Sequence, residues 1–182
     1  MTNTAEIQTD GINVYVTAKI QANPIGKVAL TLLNIGLVTF YIWFMSTLEP
    51  AETGKMLIPV VLMFGAFIYL PWRYWFWNFY GKEHITINTK TLTSFNDYGI
   101  VQTNSKTIPH FQLATTYEFV QVLNEKQCGR LHFISYDPET NLPEEIYQTT
   151  ILLTKNDLDK IREFITSVFD NEQLNKQQFS AN

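Results

Sequence analysis

Two textures of apolar residues alternate along this chain. From Gly11 to Ile20, the residues Ile12, Val14, Val16, Ala18 and Ile20 fall on one side, and Asn13, Tyr15, Thr17 and Lys19 on the other. Period two with β-branched residues predicts a strand over 11–20 with one buried face. Gln21-Ala-Asn-Pro-Ile-Gly26 breaks it, and Pro24 suits the first turn of a following helix. Val28–Ser46 is apolar apart from Thr31, Asn34, Thr39 and Ser46. That length is close to the roughly 20 residues that cross a hydrocarbon core about 30 Å thick. A second apolar run begins at Met56 and ends in Tyr69-Leu-Pro-Trp-Arg-Tyr-Trp-Phe-Trp-Asn-Phe-Tyr80. The pattern predicts a transmembrane helical hairpin at 26–80, with spans at 28–46 and 56–74 joined by a short loop, Thr47–Lys55.

The end of the second run carries a positional signal. Indole and phenol rings rest their apolar bodies in the acyl region and their polar edges among the headgroups. Tyr69, Trp72, Arg73, Trp75, Trp77 and Tyr80 therefore read as membrane-interface residues at the exit from the bilayer. Asn34 in mid-span is expected to face the other helix, where its amide finds a partner. Gly36 and the Gly65-Ala66 pair fall near the middle of each span and are expected at the closest approach of the two helices. Lys19 and Lys27 precede the hairpin, Arg73, Lys82 and Lys90 follow it, and the loop holds only Lys55. The positive-inside bias puts both ends in the cytoplasm and the loop outside. The first apolar run is followed by no small-residue cleavage site, so it reads as an anchor that stays and not as a signal peptide.

From Lys82 the texture changes to short alternating runs between turn residues. His84–Asn88 and Leu92–Phe95 flank a tight turn, and Ile100–Ile108 follows Asp97-Tyr-Gly99. Pro109–Leu113 reads as a connector, and Tyr117–Leu123, Arg130–Tyr136 and Ile146–Leu153 as further strands. Leu158, Ile161, Phe164, Ile165 and Val168 form one face of an amphipathic closing helix over 155–169, opened by Thr154-Lys-Asn-Asp157. Residues 171–182 are polar and read as a disordered tail, and Met1–Asp10 as a frayed start. With the strand before the hairpin this makes about seven strands and a C-terminal helix. The expected fold is a membrane α-hairpin plus a mainly-β domain, a curled sheet whose open side the helix caps. The hairpin is then an insertion between neighbouring strands, and 81–170 is a cytoplasmic domain.

Composition narrows the function classes. At 182 residues there is room for one soluble domain and a small membrane part. The formal charge of −4 shows none of the clustered basic surface that nucleic-acid binding needs. Cys128 is the single cysteine, so no disulfide forms within the chain and a Cys-based zinc site is not expected. His84, His110 and His132 lack the spacing of a helical zinc pair. The carboxylates Asp137, Glu139, Glu144 and Glu145 lie in a charged loop without the Asp/Asn-and-Gly spacing of a calcium site. Cys128 beside Gly129 falls in a predicted turn, where an unreactive, exposed or half-buried thiol is expected. Neither a phosphate-binding glycine loop nor a nucleophile motif is present. No catalytic, cofactor-binding or metal residue is therefore assigned, no cofactor is expected, and the chain reads as non-enzymatic.

The segment Trp75-Phe-Trp-Asn-Phe-Tyr-Gly-Lys-Glu-His-Ile-Thr-Ile-Asn-Thr-Lys-Thr-Leu-Thr93 resembles bacterial two-span inner-membrane proteins. In these an aromatic helix end runs through Gly-Lys-Glu into a pleckstrin-homology-like domain. The resemblance implies a curled β-sandwich or barrel capped by a helix, in a family of largely unassigned function, and supplies no site residues. Between Gly81 and Asp170 there are 8 Lys and Arg against 12 Asp and Glu, a net charge of −4. A basic cluster for anionic headgroups is therefore lacking. The expected role is a protein-interaction module, scaffold or accessory subunit of a membrane complex in the inner (cytoplasmic) membrane. Its partners would be the lipid bilayer and another membrane or cytoplasmic protein, or a second copy of itself, and not nucleic acid. The alternative is an anionic-lipid or headgroup-sensing module.

Overall fold

The computed structural model describes residues 5–47, 50–123 and 125–180, and of these the side chains at 50–57, 60, 66, 68 and 172–180 lie outside the description. Contacts divide the chain into two units, Ala22–Tyr80 and the combination of Met1–Gln21 with Gly81–Asn182.

The larger unit holds two antiparallel sheets. In the first, β1 (Ala5–Thr9), β2 (Val14–Lys19), β3 (Lys82–Ile87), β4 (Thr91–Asp97) and β5 (Gln102–Pro109) lie in chain order. The chain leaves this sheet after β2 and re-enters it at β3 as a direct neighbour, with Val16 opposite Ile85. Ile20 N–H donates to the Gly81 carbonyl at 3.0 Å, which continues the pairing past the strand ends. The second sheet orders β6 (Gln112–Leu123), β7 (Lys126–Tyr136) and β8 (Pro143–Gln148), with the short β9 (Leu153–Thr154) also on β7. Helix α3 (Lys155–Ser180) follows and packs on β1, β2, β7 and β9, so it touches both sheets. Thr154 caps its start. Thr154 Oγ1 donates to Asp157 Oδ2 at 2.7 Å, while Asp157 N–H donates back to Thr154 Oγ1 at 3.3 Å.

The core is assembled from the period-two and period-3.6 faces. Val14, Val16 and Ala18 from β2, Ile85 and Ile87 from β3 and Leu92 from β4 are buried. So are Leu131 and Phe133 from β7, and Leu158, Ile161, Ile165 and Val168 from α3. Phe164, expected with them, is half-buried.

Several expectations are corrected. The polar start contributes a strand, because Asp10 organises the turn into β2. Its Oδ1 accepts from Ile12 N–H and Asn13 N–H at 2.9 and 2.6 Å, and its Oδ2 from the Tyr15 hydroxyl at 2.9 Å. Gly11, at φ +85°, supplies the left-handed step of this turn. The strand expected over 11–20 is consequently shorter, and Ile12 is exposed in the turn. The Pro109–Leu113 connector narrows to two residues between β5 and β6, and the expected strand 146–153 splits into β8 and β9. Seven strands therefore follow Gly81 instead of six, nine in all among the described residues. Cys128 is not in a turn but is buried within β7. Residues 171–180 are not a tail but continue α3, well past the 155–169 expected for the closing helix; 181 and 182 lie outside the described residues.

The smaller unit consists of α1 (Pro24–Thr47) and α2 (Pro50–Tyr80). The loop expected at Thr47–Lys55 is shorter, because α2 begins at Pro50, a residue whose fixed φ suits the first helical position. Leu48 and Glu49 lie outside the described residues. Among those described, α1 is the one helix long and apolar enough to cross a membrane, and a second span at 56–74 is not found by that measure. In α2 the charges of Lys55 and Arg73 bound the apolar run, and part of that run lies outside the described side chains.

Candidate functional site

The seam between α1 and α2 follows from helical geometry. Residues three and four apart share a helix face, so 27, 31, 34, 38 and 41 line one stripe of α1. Lys27 Nζ sits 5.1 Å from the centre of the Phe79 ring. Trp75 Nε1–H donates to Thr31 Oγ1 at 2.9 Å, and the Thr31 hydroxyl in turn donates to the Lys27 carbonyl at 2.8 Å. Further along, Phe64 of α2 lies against Phe40, Tyr41 and Phe44, with ring centroids 5.1 to 6.0 Å apart. Large aromatic rings, not small residues, set this seam.

That arrangement corrects the expectation for the glycines. Gly36 and Gly65 are exposed, and a Cβ built on either meets no atom within 4 Å. Gly36 stands two residues from Asn34, about 200° around the helix, and so points away from the stripe. Gly65 is one step off Phe64. The side chain of Ala66 lies outside the described residues.

Asn34 does face the seam. It is the one buried residue of α1, only 9 % exposed, and its Nδ2–H donates to the Leu30 carbonyl at 2.8 Å. Its Oδ1 has no hydrogen-bond partner. Beside it is a cavity of about 350 Å³ lined by Thr31, Asn34, Ile35, Val38, Thr39, Trp72, Trp75 and Phe76.

The aromatic end of α2 divides by direction. Tyr69, Trp72 and Tyr80 are exposed, as is Arg73, which has an interaction of its own. Trp75 turns inward to α1 and stacks on Phe79 at 4.5 Å, and Trp77 is half-buried. The apolar faces outside the seam are open. Ile25, Leu32, Ile35 and Ile42 on α1, and Ile58, Leu62 and Phe67 on α2, are all more than half exposed.

In the β unit the deepest polar group is Glu83, fully buried at the start of β3. Its Oε1 accepts from the Tyr147 hydroxyl at 2.6 Å and from Thr150 N–H at 2.8 Å, and its Oε2 from Ile151 N–H at 2.8 Å. These donors lie on and just after β8, so one carboxyl ties the first sheet to the bend that separates β8 from β9. Burial pushes the Glu83 carboxyl above the usual range, against the pull of its three donors. Burial and the neighbouring Glu83 charge likewise push the Tyr147 phenol well up. This node holds the fold. All its donors are committed to the carboxylate, and nothing reactive is left over.

The histidines are separately employed. His84 lies over the Phe95 ring at 4.7 Å and its Nδ1 meets Thr17 Oγ1 at 3.1 Å; burial lowers its pKa, with Asp97 opposing. His110 Nε2 lies 2.9 Å from the Asn88 carbonyl, which only accepts, so Nε2 carries the hydrogen; burial lowers this pKa too. His132 stands between Glu145, 3.0 Å from Nδ1, and Glu118, 3.2 Å from Nε2. Sequence reasoning missed this cross-strand trio, because the β6–β7–β8 register and not sequence spacing aligns it. No cluster able to hold a metal ion occurs among the described residues.

A second surface stands out on β6. It pairs with β7 alone, so its other edge is unpaired over a strand of 12 residues. Phe119, Val120 and Val122 are exposed along it.

Compared with protein-family models, with curated proteins and with solved structures, the chain matches none.

Proposed function

We propose that this is a membrane-anchored protein-interaction module. Helices α1 and α2 cross the bilayer as a hairpin, and both ends of the hairpin open on the cytoplasmic side of a bacterial inner membrane. The β unit, a pleckstrin-homology-like sandwich capped by α3, receives a protein partner there as a scaffold or accessory subunit. The observation that carries the reading is the exposure of α1. A helix of 24 residues with one buried side chain, Asn34, is not the core of a soluble unit. Exposed apolar surface on that scale marks a membrane or protein contact. The exposed rings of Tyr69, Trp72 and Tyr80 then belong at the headgroup level.

The β6 edge supports the second half of the proposal. An unpaired, apolar strand edge is a template for a strand from another chain, with main-chain hydrogen bonds giving affinity and alternate side chains giving specificity. The test is purification of the full chain from gently solubilised membranes, beside a variant carrying Phe119→Lys and Val122→Lys. Both positions are exposed, so the fold is expected to tolerate the change within about 0.5 kcal/mol per site. The wild type is expected to bring down a stoichiometric partner that the variant loses. A wild type that purifies alone rejects the interaction role.

A further inference from the structure

We infer that the cavity on the α1–α2 seam is a binding site for a lipid-phase amphiphile that carries a hydrogen-bond donor, a hydroxyl or an amide N–H on an apolar body. The donor meets Asn34 Oδ1, and the apolar body lies against Ile35, Val38, Trp72 and Phe76.

The argument starts from the amide. An Asn has two donors and an acceptor, and its orientation is set by its partners. Here the Leu30 carbonyl accepts from Nδ2 at 2.8 Å, so a flipped amide would bring two oxygens together. The oxygen is therefore the end left over, buried and unpaired. The two hydroxyls that line the cavity are engaged. The Thr31 hydroxyl donates to Lys27 and accepts from Trp75, and the Thr39 hydroxyl donates to the Ile35 carbonyl at 2.8 Å. Trp75 Nε1–H is spent on Thr31, and Asn34 Oδ1 has no partner.

A water molecule is a poor occupant, since it needs two to four polar partners and finds one free buried acceptor. A second copy of the chain is a poor occupant too. Its own Asn34 is enclosed in its own seam and cannot reach out to supply the donor. A volume of about 350 Å³ falls in the range of small-molecule sites, roughly 300–1,000 Å³, with the usual mainly apolar lining and one directing polar group. Asn34 lies roughly 15 Å along α1 from Pro24, at 1.5 Å per residue. On the membrane reading the cavity runs inward from the headgroup level that Trp72 marks, so the ligand arrives from lipid. The inference rests on that reading only for the ligand's source.

The experiment uses the full chain in detergent micelles with two probes, a dodecanol bearing a mid-chain photoreactive diazirine and its methyl ether. They match in apolar body and differ in the donor. After irradiation, adducts are located by peptide mass spectrometry. The alcohol is expected to label 31–39 and 72–76 about tenfold more than the ether, the factor that one satisfied buried acceptor supports. Asn34→Leu should bring the alcohol down to the level of the ether. Val38→Phe, which fills the cavity and leaves the amide in place, should lower labelling by both. Equal labelling by the two probes in the wild type would overturn the site, as would adducts spread evenly over both helices. Either result would leave the membrane reading standing, because that reading needs only the exposed helical surface. Loss of the helical signal in Asn34→Leu would leave the probe comparison in the wild type to decide.

Discussion

At the scale of single residues, Glu83 ties the start of β3 to β8 and the bend after it. Its oxygens accept three hydrogen bonds, one from Tyr147 on β8 and two from Thr150 and Ile151 in the bend that follows. Glu83→Gln keeps the shape and replaces one acceptor by a donor. The amide oxygen best takes the Oε1 place, which serves two donors, and leaves Ile151 N–H facing an NH₂ group. A buried donor left unpaired costs about 1–3 kcal/mol, and thermal unfolding followed by circular dichroism should report a loss of that order. The pH dependence has a definite sign. The folded-state pKa lies above the unfolded value near 4.3 because burial disfavours the charge. The stabilisation tied to that proton is full below the unfolded value and is lost as pH rises through the folded one. The wild type should therefore lose ground against Glu83→Gln as pH rises from the unfolded value through the folded one. A difference in melting temperature that stays flat over that range would show that burial does not govern the group.

At the scale of elements, the pairing of β6 with β7 depends on one missing side chain. Gly129 lies opposite Phe119, next to the bulge in β6. A Cβ there would overlap the Glu118 carbonyl and the Tyr117 ring. Gly129→Ala must push two paired strands apart, and overpacking of this kind costs typically about 1–3 kcal/mol. Denaturant titration should show a lowered midpoint; an unchanged one would mean that the strands separate freely here. Elements differed in how openly the residues announced them. Val14, Val16 and Ala18 alternate without interruption, and Leu158, Ile161, Ile165 and Val168 repeat at helical spacing, so β2 and the first half of α3 are readable. Strand β1 is not, because it is a polar edge held in place by the Asp10 turn, which is a matter of side-chain hydrogen bonds. The break between β8 and β9 is hidden for a similar reason. Glu83, which stabilises it, is more than 60 residues away. The seam of the hairpin was misread at Gly36 and Gly65, where small size suggested contact and helical phase gives exposure. The burial of Asn34 was legible, but its amide finds its partner in the Leu30 carbonyl of its own helix and not across the seam as expected. Its unpaired oxygen was not legible, because the orientation depends on Leu30.

At the scale of the whole molecule, the chain joins two units with opposite solvent requirements. The β unit buries its apolar residues in a core that two sheets and α3 share, and its surface charges are mixed. The helical unit exposes its apolar residues and buries an amide. Both arrangements hold together if the helices stand in lipid, where a backbone that satisfies its own hydrogen bonds is required and exposed Leu and Ile carry no penalty. The chain leaves the first sheet after β2 and returns at its neighbour β3, as the proposed two-crossing hairpin requires. The most direct test is labelling of a cysteine placed at the tip of the hairpin. The one native thiol, Cys128, is 1 % exposed and gives little background. With Glu52→Cys, in the first turn of α2 at the hairpin's tip, a membrane-impermeant maleimide is expected to react from outside in intact cells, and the chain to stay in the membrane pellet after alkaline washing. Reaction only after the cells are opened, or release of the chain into the wash, would contradict the account.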